Sequence, residues 1–324
     1  MTALPDLFRV EAIFDTDADL LHRASKAWRL PTTTSLESLL ESDLDAVLCC
    51  TPVEDHLATC VLALERGLGV LCEKPMVDSH AEAEVLRHAA SSSGRELMVG
   101  LLRRHDPAVA ALIGRLSEAG QVPLAVTVET RDPNRSRPVV YQQPTRLPAP
   151  SRLSLRRTLH SSVVHDLDLA WQALSACGLL APPTTWRVRE SVHSAQGGLT
   201  TVDWQAEDTA VSLSYRRTTV PEYCQVITVE FADSRLAVSL PPPYENLPES
   251  TLIEVGRSGS GYFRGCWSFL GPNAFVRQAQ AFQGLMRGGP LSRSTVDDSM
   301  ELLDCLEALW RSMLPTAEEI EAHG

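Results

Sequence analysis

The chain has 324 residues, a length natural for two domains, and its 44% hydrophobic and 22% charged residues are typical of a globular protein. Its formal net charge of −12 argues against nucleic-acid binding as the main role, because the phosphate backbone requires a clustered basic face. No apolar stretch approaches the ~20 residues that cross a bilayer, and the first residues lack a basic region followed by an apolar run, so neither a membrane span nor a signal peptide is predicted.

The first hundred residues alternate between strand and helix patterns. The apolar run Asp45–Cys50 shows no alternation, which is typical of a parallel strand covered on both faces. Strands are predicted at 9–14, 45–50, 69–72 and 96–101, and helices at 17–29, 35–41, 54–66 and 79–92. This order predicts an α/β domain with a doubly wound parallel sheet.

The pattern changes after about Arg104. A helix (107–118), an alternating strand (124–130), a polar loop (131–157) and a helix (160–176) are followed by alternating strands within 184–240. A loop with three prolines (241–243) and a Gly/Ser stretch (256–261) precede helices near 272–287 and 295–313, which close the chain. We therefore predict two domains, 1–104 and 105–324, the second an α+β domain with an open, mainly antiparallel sheet that has one covered face.

The eight cysteines show no C-x-x-C pair and no zinc-finger spacing. Cys49, Cys50 and Cys72 sit in apolar runs, where thiols usually behave as small buried hydrophobes. We therefore expect reduced thiols in a cytoplasmic protein, without disulfides and without a metal site.

Three segments carry a family resemblance. They are Asp45–Pro52 with His56 four residues on, residues 69–75 (Gly-Val-Leu-Cys-Glu-Lys-Pro), and residues 165–168 (His-Asp-Leu-Asp), which open an apolar helix containing Trp171. In this order and spacing they resemble the glucose–fructose oxidoreductase/inositol dehydrogenase (Gfo/Idh/MocA) family. The resemblance runs from about residue 8 to the C-terminus. It implies a Rossmann-like dinucleotide-binding domain, here incomplete at its N-terminus, followed by a substrate-binding and oligomerisation domain.

The resemblance also implies catalytic residues. Lys74 corresponds to the family's lysine that lies near the nicotinamide and the reacting oxygen. His165 corresponds to the residue that acts as acid or base. Asp168, about one helical turn further along, would stabilise or orient the site. An ammonium group lowers the cost of a developing alkoxide, and histidine titrates near working pH. Two structural readings stay open: Lys74 as an ion-pair partner of Glu73, and His165 as a helix-terminal histidine without chemistry.

The expected cofactor is NAD or NADP. The cofactor-binding candidates follow the predicted strands, and they are Asp15, Thr51, Pro52, His56, Glu73 and Lys74. A carboxylate at the end of a strand binds the ribose hydroxyls in a Rossmann fold, but Asp15 is equally well placed to cap a helix. His56 has the alternative role of bracing the loop after Thr51-Pro52.

The polar loop 131–157 holds seven arginines and one acid, Asp132. Guanidinium groups match carboxylate and phosphate, so an anionic small-molecule substrate is one reading. A solvated loop or a subunit contact is the other. The substrate-binding candidates are Arg104, Arg131, Arg152, Arg156 and Arg157.

The sequence departs from the family at two points. No G-x-G-x-x-G loop occurs, and Gly259-Ser260-Gly261 lacks the third glycine. That loop normally binds the pyrophosphate, and its strand is central, so the neighbouring strands would need a new partner or would pair directly. Ser161 stands where many members have an aspartate. The chain is therefore either a mis-started or truncated oxidoreductase or a natively short protein whose dinucleotide binding is lost or altered.

Two classes of function follow. The first is an NAD(P)-dependent oxidoreductase acting on a sugar, cyclitol or similar hydroxylated or keto compound. The second is a redox-neutral enzyme (a cyclase or dehydratase) or a non-catalytic ligand-binding protein on the same fold. Because the strands of 184–240 carry Trp186, Trp204, Tyr215 and Val229, and because related proteins commonly pair through this sheet, we also expect a homodimer or higher homo-oligomer.

Overall fold

The computed structural model describes residue 4 and residues 6–133, 162–179, 186–194, 197–218, 222–243, 249–290 and 293–312. These residues form two compact units. The first comprises the described residues up to 100 together with those of 276–300, and the second comprises the rest. None of the helices in these ranges is long and apolar enough to cross a membrane.

The first unit contains short parallel strands and helices in the predicted alternation. Its strands are β1 (Ile13–Phe14), β2 (Thr32–Thr33), β3 (Ala46–Cys49), β4 (Gly69–Cys72) and β5 (Leu97–Val99), and its helices are α1 (Ala18–Trp28), α2 (Leu36–Leu40), α3 (Val53–Glu65) and α4 (His80–Ser93). The side chains of Asp17, Ser35 and Ser79 accept backbone N–H bonds at the starts of α1, α2 and α4. These caps fix where the three helices begin.

The parallel strands of the first unit form two sheets. β1 pairs with β2, and β3, β4 and β5 form a separate sheet in that order. In the usual doubly wound order, the strand that carries the glycine-rich loop lies centrally, between the strand that follows it in the chain and the fourth strand. The pair β1–β2 corresponds to the part of such a sheet on one side of the central strand. The sheet β3–β4–β5 corresponds to the part on its other side. Within the described ranges β1 and β3 neither pair directly nor share a new partner strand.

This arrangement corrects two sequence predictions about residues 45–50. β3 is the outer strand of its sheet, and Leu48 is 42% exposed, so the prediction of two covered faces is wrong. Cys50 follows on the same side as Leu48 and is also exposed, whereas Cys49 points to the covered face and is buried. The period of two along a strand explains this division.

Residues from late in the chain complete the core of the first unit. Helix α5 (Pro107–Ala119) and helix α6 (Val164–Ala176) belong to the second unit, and they precede α7 (Ala274–Met286) and α8 (Val296–Ser312) in the chain. Phe282 and Leu285 of α7 pack with Leu71 and Met98 of the parallel sheet. Phe8, Ala46, Ala281 and Met286 pack against this cluster from its sides.

The second unit is built on an eight-stranded sheet. Its strands are β6 (Ala125–Pro133), β7 (Trp186–Ser194), β8 (Gly197–Ala206), β9 (Thr209–Thr218), β10 (Cys224–Glu230), β11 (Ser234–Leu240), β12 (Ser250–Ser258) and β13 (Gly261–Phe269). Their order is β13-β12-β11-β10-β6-β9-β8-β7, and every pair is antiparallel except β6 with β9. The predicted fold class, parallel Rossmann-like sheets followed by a mainly antiparallel sheet, is confirmed.

Two details of this sheet differ from the sequence prediction. The Gly/Ser stretch 256–261, for which no strand was predicted, joins β12 to β13, which pair along their whole length, and Gly259 at φ +60° lies in the turn between them. Trp204, Tyr215 and Val229 are 6%, 4% and 0% exposed. They lie on the covered face and do not supply the free apolar surface that was expected of them. Exposed apolar side chains lie instead on and next to β13, at Tyr262, Phe263, Trp267 and Leu270.

Candidate active site

His56 joins the two segments that follow β3 and β4. It lies at the end of the first turn of α3 and is 2% exposed. Its Nδ1 lies 3.0 Å from the carbonyl oxygen of Pro75 and 3.2 Å from that of Met76, and its Nε2 lies 2.8 Å from the carbonyl oxygen of Thr51. The ring is therefore engaged on both sides by backbone, and it holds the Thr51-Pro52 turn against the segment after Lys74.

The Glu73-Lys74-Pro75 segment begins directly after β4. The Glu73 N–H donates to the carbonyl oxygen of Cys49 (2.9 Å), and the Gly100 N–H donates to that of Cys72 (2.7 Å). A Cβ on Gly100 would lie 3.2 Å from Glu73 Cα, so this close approach favours glycine. The Lys74–Pro75 peptide bond is cis. These contacts fix the backbone on which Lys74 is carried.

Glu73 and Lys74 interact electrostatically. Burial raises the pKa of the Glu73 carboxyl above its ordinary value, and the Lys74 ammonium and the Lys74 N–H (3.3 Å from Glu73 Oε2) oppose that rise. Both side chains are half-buried. Lys74 thus places a cation at the carboxyl end of β4, beside a partly shielded carboxylate.

Asp15 does not cap the following helix. Its Oδ1 accepts the N–H of Asp17 (2.9 Å), and it is Asp17 that caps α1 through the N–H groups of Asp19 and Leu20. The described residues of the first unit therefore offer Asp15 at the end of β1, Thr51-Pro52 after β3 and Glu73-Lys74 after β4. Ligands of open α/β sheets bind outside the carboxyl ends of the strands.

In the second unit, Asp168 forms a buried ion pair with Arg104. Arg104 Nε and Nη2 lie 2.9 and 2.6 Å from Asp168 Oδ1, and the two side chains are 5% and 1% exposed. Gln172 Nε2 donates to Asp168 Oδ2 (3.1 Å). Sequence reasoning assigned Arg104 to substrate and Asp168 to catalysis, whereas the structure joins the two to each other between a 3-10 turn (Leu102–His105) and α6.

Asp166, which had no predicted role, is the centre of a buried network. Thr130 Oγ1 and Gln225 Nε2 donate to its Oδ1 (2.7 and 2.8 Å). Tyr223 OH donates to Gln225 Oε1 (3.2 Å), and Arg103 Nη2 donates to Tyr223 OH (2.7 Å). Burial raises the pKa of Asp166 to about 7, although its hydrogen bonds to Thr130 and Gln225 lower it. A carboxyl group whose pKa lies near neutrality therefore follows His165 on the first turn of α6.

Of the arginine-rich loop 131–157, the structure describes only residues 131–133. Arg131 is exposed near the end of β6, and Tyr215 OH donates to Asp132 Oδ2 (2.8 Å) one residue later. Arg152, Arg156, Arg157 and Ser161 lie outside the described residues.

The comparisons with known proteins agree with this architecture. Residues 1–101 match the family model GFO_IDH_MocA, described as "Oxidoreductase family, NAD-binding Rossmann fold". Among solved structures, the UDP-N-acetylglucosamine 3-dehydrogenase of Acidithiobacillus ferrooxidans is similar with a TM-score of 0.73 and 19% identity, covering 96% of this chain and 92% of that one. A putative myo-inositol dehydrogenase of Sinorhizobium meliloti has a TM-score of 0.66 at 20% identity, covering 94% and 89%.

Curated relatives match over shorter segments. Inositol 2-dehydrogenase 4 of Saccharopolyspora erythraea is 28% identical over 207 residues, 59% of this chain and 57% of that protein. Inositol 2-dehydrogenase of Streptomyces avermitilis is 30% identical over 193 residues, which cover 58% of this chain and 48% of that protein. The chain thus spans about half the length of these curated relatives.

The fold and the segments after β3 and β4 define a Rossmann-type protein with a second, open-sheet unit. The resemblance to the Gfo/Idh/MocA oxidoreductase family that was inferred from the three sequence segments is confirmed, and the family model itself covers residues 1–101.

Proposed function

We propose that the protein is an NAD(P)-dependent oxidoreductase whose substrate is a sugar, a cyclitol or a similar small hydroxylated or keto compound. One observation carries the proposal: the turns after β3 and β4, with Thr51-Pro52 and Glu73-Lys74, are held together by His56 at the carboxyl ends of neighbouring parallel strands. This edge of an open α/β sheet is where such folds bind ligands.

The described residues fit part of a dinucleotide. Asp15 lies directly after β1, where a Rossmann fold places its ribose-binding carboxylate, and Lys74 lies after β4. The pyrophosphate portion does not fit, because the described ranges hold no glycine-rich turn between a parallel strand and a helix N-terminus. We therefore infer no chemical step that depends on a pyrophosphate cradle.

The proposed roles of the protein's own groups concern the substrate hydroxyl. A bound nicotinamide would supply the hydride acceptor or donor. The Lys74 ammonium would stabilise negative charge that develops on the reacting oxygen. The family resemblance implies for His165, which lies in the second unit, a role in taking up or returning a proton. Arg104 and Asp168 are proposed as positioning residues, since their ion pair fixes the first turns of α6, on which His165 lies.

The test is a binding and turnover experiment on the full chain. We expect isothermal titration calorimetry to detect NAD(H) or NADP(H), and myo-inositol and related cyclitols and sugars to change the nicotinamide absorbance when they are turned over. Arginine residues of the loop 131–157 would favour anionic members of the substrate class, so phosphorylated and carboxylated sugars belong in the same panel.

The second candidate is a redox-neutral enzyme or a ligand-binding protein on the same fold. The observation that favours it is the missing G-x-G-x-x-G loop together with the split parallel sheet. A folded chain that binds neither dinucleotide would exclude the first function. Product formation without a change in nicotinamide absorbance would then identify a redox-neutral enzyme.

We also propose self-association through the open sheet. Tyr262 and Leu270 are 77% and 70% exposed, and Phe263 and Trp267 add partly exposed aromatic surface on the same outer strand. Apolar side chains grouped at a sheet edge are typical of an interface.

A further inference from the structure

Three cysteines that are far apart in the sequence converge in the first unit. Cys49 ends β3, Cys72 ends β4 and Cys60 lies in the middle of α3. Their Sγ atoms all lie within 4.8 Å of one another, and the three residues are 2%, 0% and 0% exposed. We call them the thiol cluster. The family resemblance gave no role to any of them.

Strand register explains why two of these thiols meet. Cys49 and Cys72 are paired directly across the parallel strands β3 and β4, so their side chains leave the sheet on the same face. Helix α3 covers that face and brings Cys60 over the pair, as the burial of Cys60, Ala63 and Leu64 shows.

The spacing suits a metal ion better than a disulfide. Neighbouring strands lie about 4.8 Å apart, and side chains that leave them in parallel keep roughly that separation, whereas a disulfide needs Cβ atoms about 3.8 Å apart. Three thiolates around one ion with metal–sulfur bonds of about 2.3 Å have sulfur atoms roughly 4 Å apart. The upper limit of 4.8 Å in this cluster lies near that value.

The thiol cluster also has polar neighbours. The Cys72 thiol donates towards the carbonyl oxygens of Glu73 (3.4 Å) and Met76 (3.7 Å), and Thr51 Oγ1 lies 3.4 Å from Cys49 Sγ. A bound cation would replace the thiol protons.

We propose that Cys49, Cys60 and Cys72 form a binding site for one divalent, thiophilic cation of the zinc and cadmium class. Soft thiolate donors select such ions. Binding is a ligand exchange without redox change: the three thiols lose their protons to solvent as the sulfur–metal bonds form. The ion would tie the end of β3 to the end of β4, directly below the Thr51 and Lys74 segments.

The test uses the full chain, reduced and freed of metal, with cadmium as the probe. We expect one equivalent of Cd²⁺ to produce a sulfur-to-cadmium charge-transfer band in the ultraviolet and to raise the thermal unfolding temperature. Zinc should displace it, as followed with a chromophoric chelator. Alkylation during partial unfolding in urea, followed by mass spectrometry, should show that cadmium slows the modification of these three cysteines more than that of Cys305.

The decisive variants are Cys60→Ser and Cys60→Ala, with Cys305→Ser as the matched control, because Cys305 is also a buried free thiol but lies in the second unit. Loss of a direct ligand should weaken Cd²⁺ by more than the roughly 100-fold that a supporting residue costs. The control should bind as the native chain does. Equal binding by the Cys60 variants, or a disulfide among these cysteines in the native chain, would overturn the proposal, and the alkylation pattern decides even if both variants fail to fold.

Discussion

Asp166 illustrates how one buried side chain sets a pH dependence. Because burial raises its pKa to about 7 in the folded protein, the folded state holds a proton that the unfolded chain, with an ordinary pKa of about 3.9, releases more readily. Its contribution to stability is therefore complete below about pH 4 and is lost as the pH rises through 7. We expect Asp166→Asn to be progressively more stable than the native chain over that range.

The size of this effect follows from the shift. Each pKa unit corresponds to about 1.4 kcal/mol, so the variant should gain on the order of 4 kcal/mol above pH 7. The amide of the variant would keep the oxygen that accepts from Thr130 and Gln225. Urea unfolding from pH 4 to 8 measures the difference, with the exposed Asp208→Asn as control. Parallel pH profiles of the native chain and the Asp166→Asn variant would mean that Asp166 is ionised throughout.

Lys74 and Lys26 are the two lysines of the chain, and they make a matched pair. Lys26 is exposed in the last turn of α1. If Lys74 stabilises an alkoxide, Lys74→Ala should lower kcat on the order of 100- to 1,000-fold, as loss of one oxyanion donor does. Lys26→Ala should leave it unchanged. Steady-state kinetics on a substrate found in the panel checks this, and full turnover by Lys74→Ala would remove the proposed mechanism.

His88 is a matched control for a substitution of His165. His165→Ala should cost on the order of 100- to 10,000-fold in kcat, because a general acid/base is lost. His88 is exposed on α4, and His88→Ala should have no effect. The pH profile of kcat separates a proton-transfer role from a structural one: the limb that belongs to His165 disappears in the variant. An unchanged profile would assign His165 a structural role.

Much of this residue-scale picture was accessible from sequence, and part was not. Lys74 and His165 could be proposed as catalytic residues because they lie in short segments with a recognisable order. The partners of Asp168 and Asp166, Arg104 and Gln225, lie 64 and 59 residues away, and no local pattern encodes which side chains a buried carboxylate will meet. The convergence of Cys49, Cys60 and Cys72 depends on strand register and helix packing, which spacing rules for metal motifs do not describe.

At the scale of elements, helix α7 shows how much a segment late in the chain contributes to the stability of the first unit. Phe282 is 2% exposed and packs on Leu71 and Met98, whereas Phe275 on the same helix is 40% exposed. Phe282→Ala should reduce the free energy of unfolding of the first unit by about 3–5 kcal/mol, because it leaves a cavity. Phe275→Ala should cost less than about 1 kcal/mol. Urea unfolding gives both values, and equal losses would contradict the packing described here.

Elements with strong patterns were predicted well, and weakly patterned ones were not. Residues 54–66 and 79–92 were predicted as helices and correspond to α3 and α4, because apolar periodicity and caps agree there. β12 and β13 were missed because glycines and serines at 256–261 indicate a loop to any local reading. The hairpin forms because full cross-strand pairing outweighs local preference.

At the scale of the whole molecule, the alternation of elements predicted the class of each unit but not the division of the parallel strands into two sheets. Which strands pair is decided by the strand that lies between them, and no such strand occurs among the described residues. The chain order of the units also hides a long-range feature, since residues 276–300 pack with the first unit. Contacts between residues so far apart in the chain produce no periodic pattern in the sequence.

The exposed apolar surface at β13 predicts self-association. Tyr262 and Leu270 are the most exposed large apolar side chains of the described residues, and both lie on or just after β13, the outer strand of the eight-stranded sheet. Because burying this surface removes apolar area from water, we expect a dimer or larger assembly at micromolar concentration. Leu270→Glu should dissociate it, whereas Val85→Glu, at an exposed apolar residue of α4, should not. Light scattering and sedimentation velocity measure the mass, and a monomeric native chain would refute the interface.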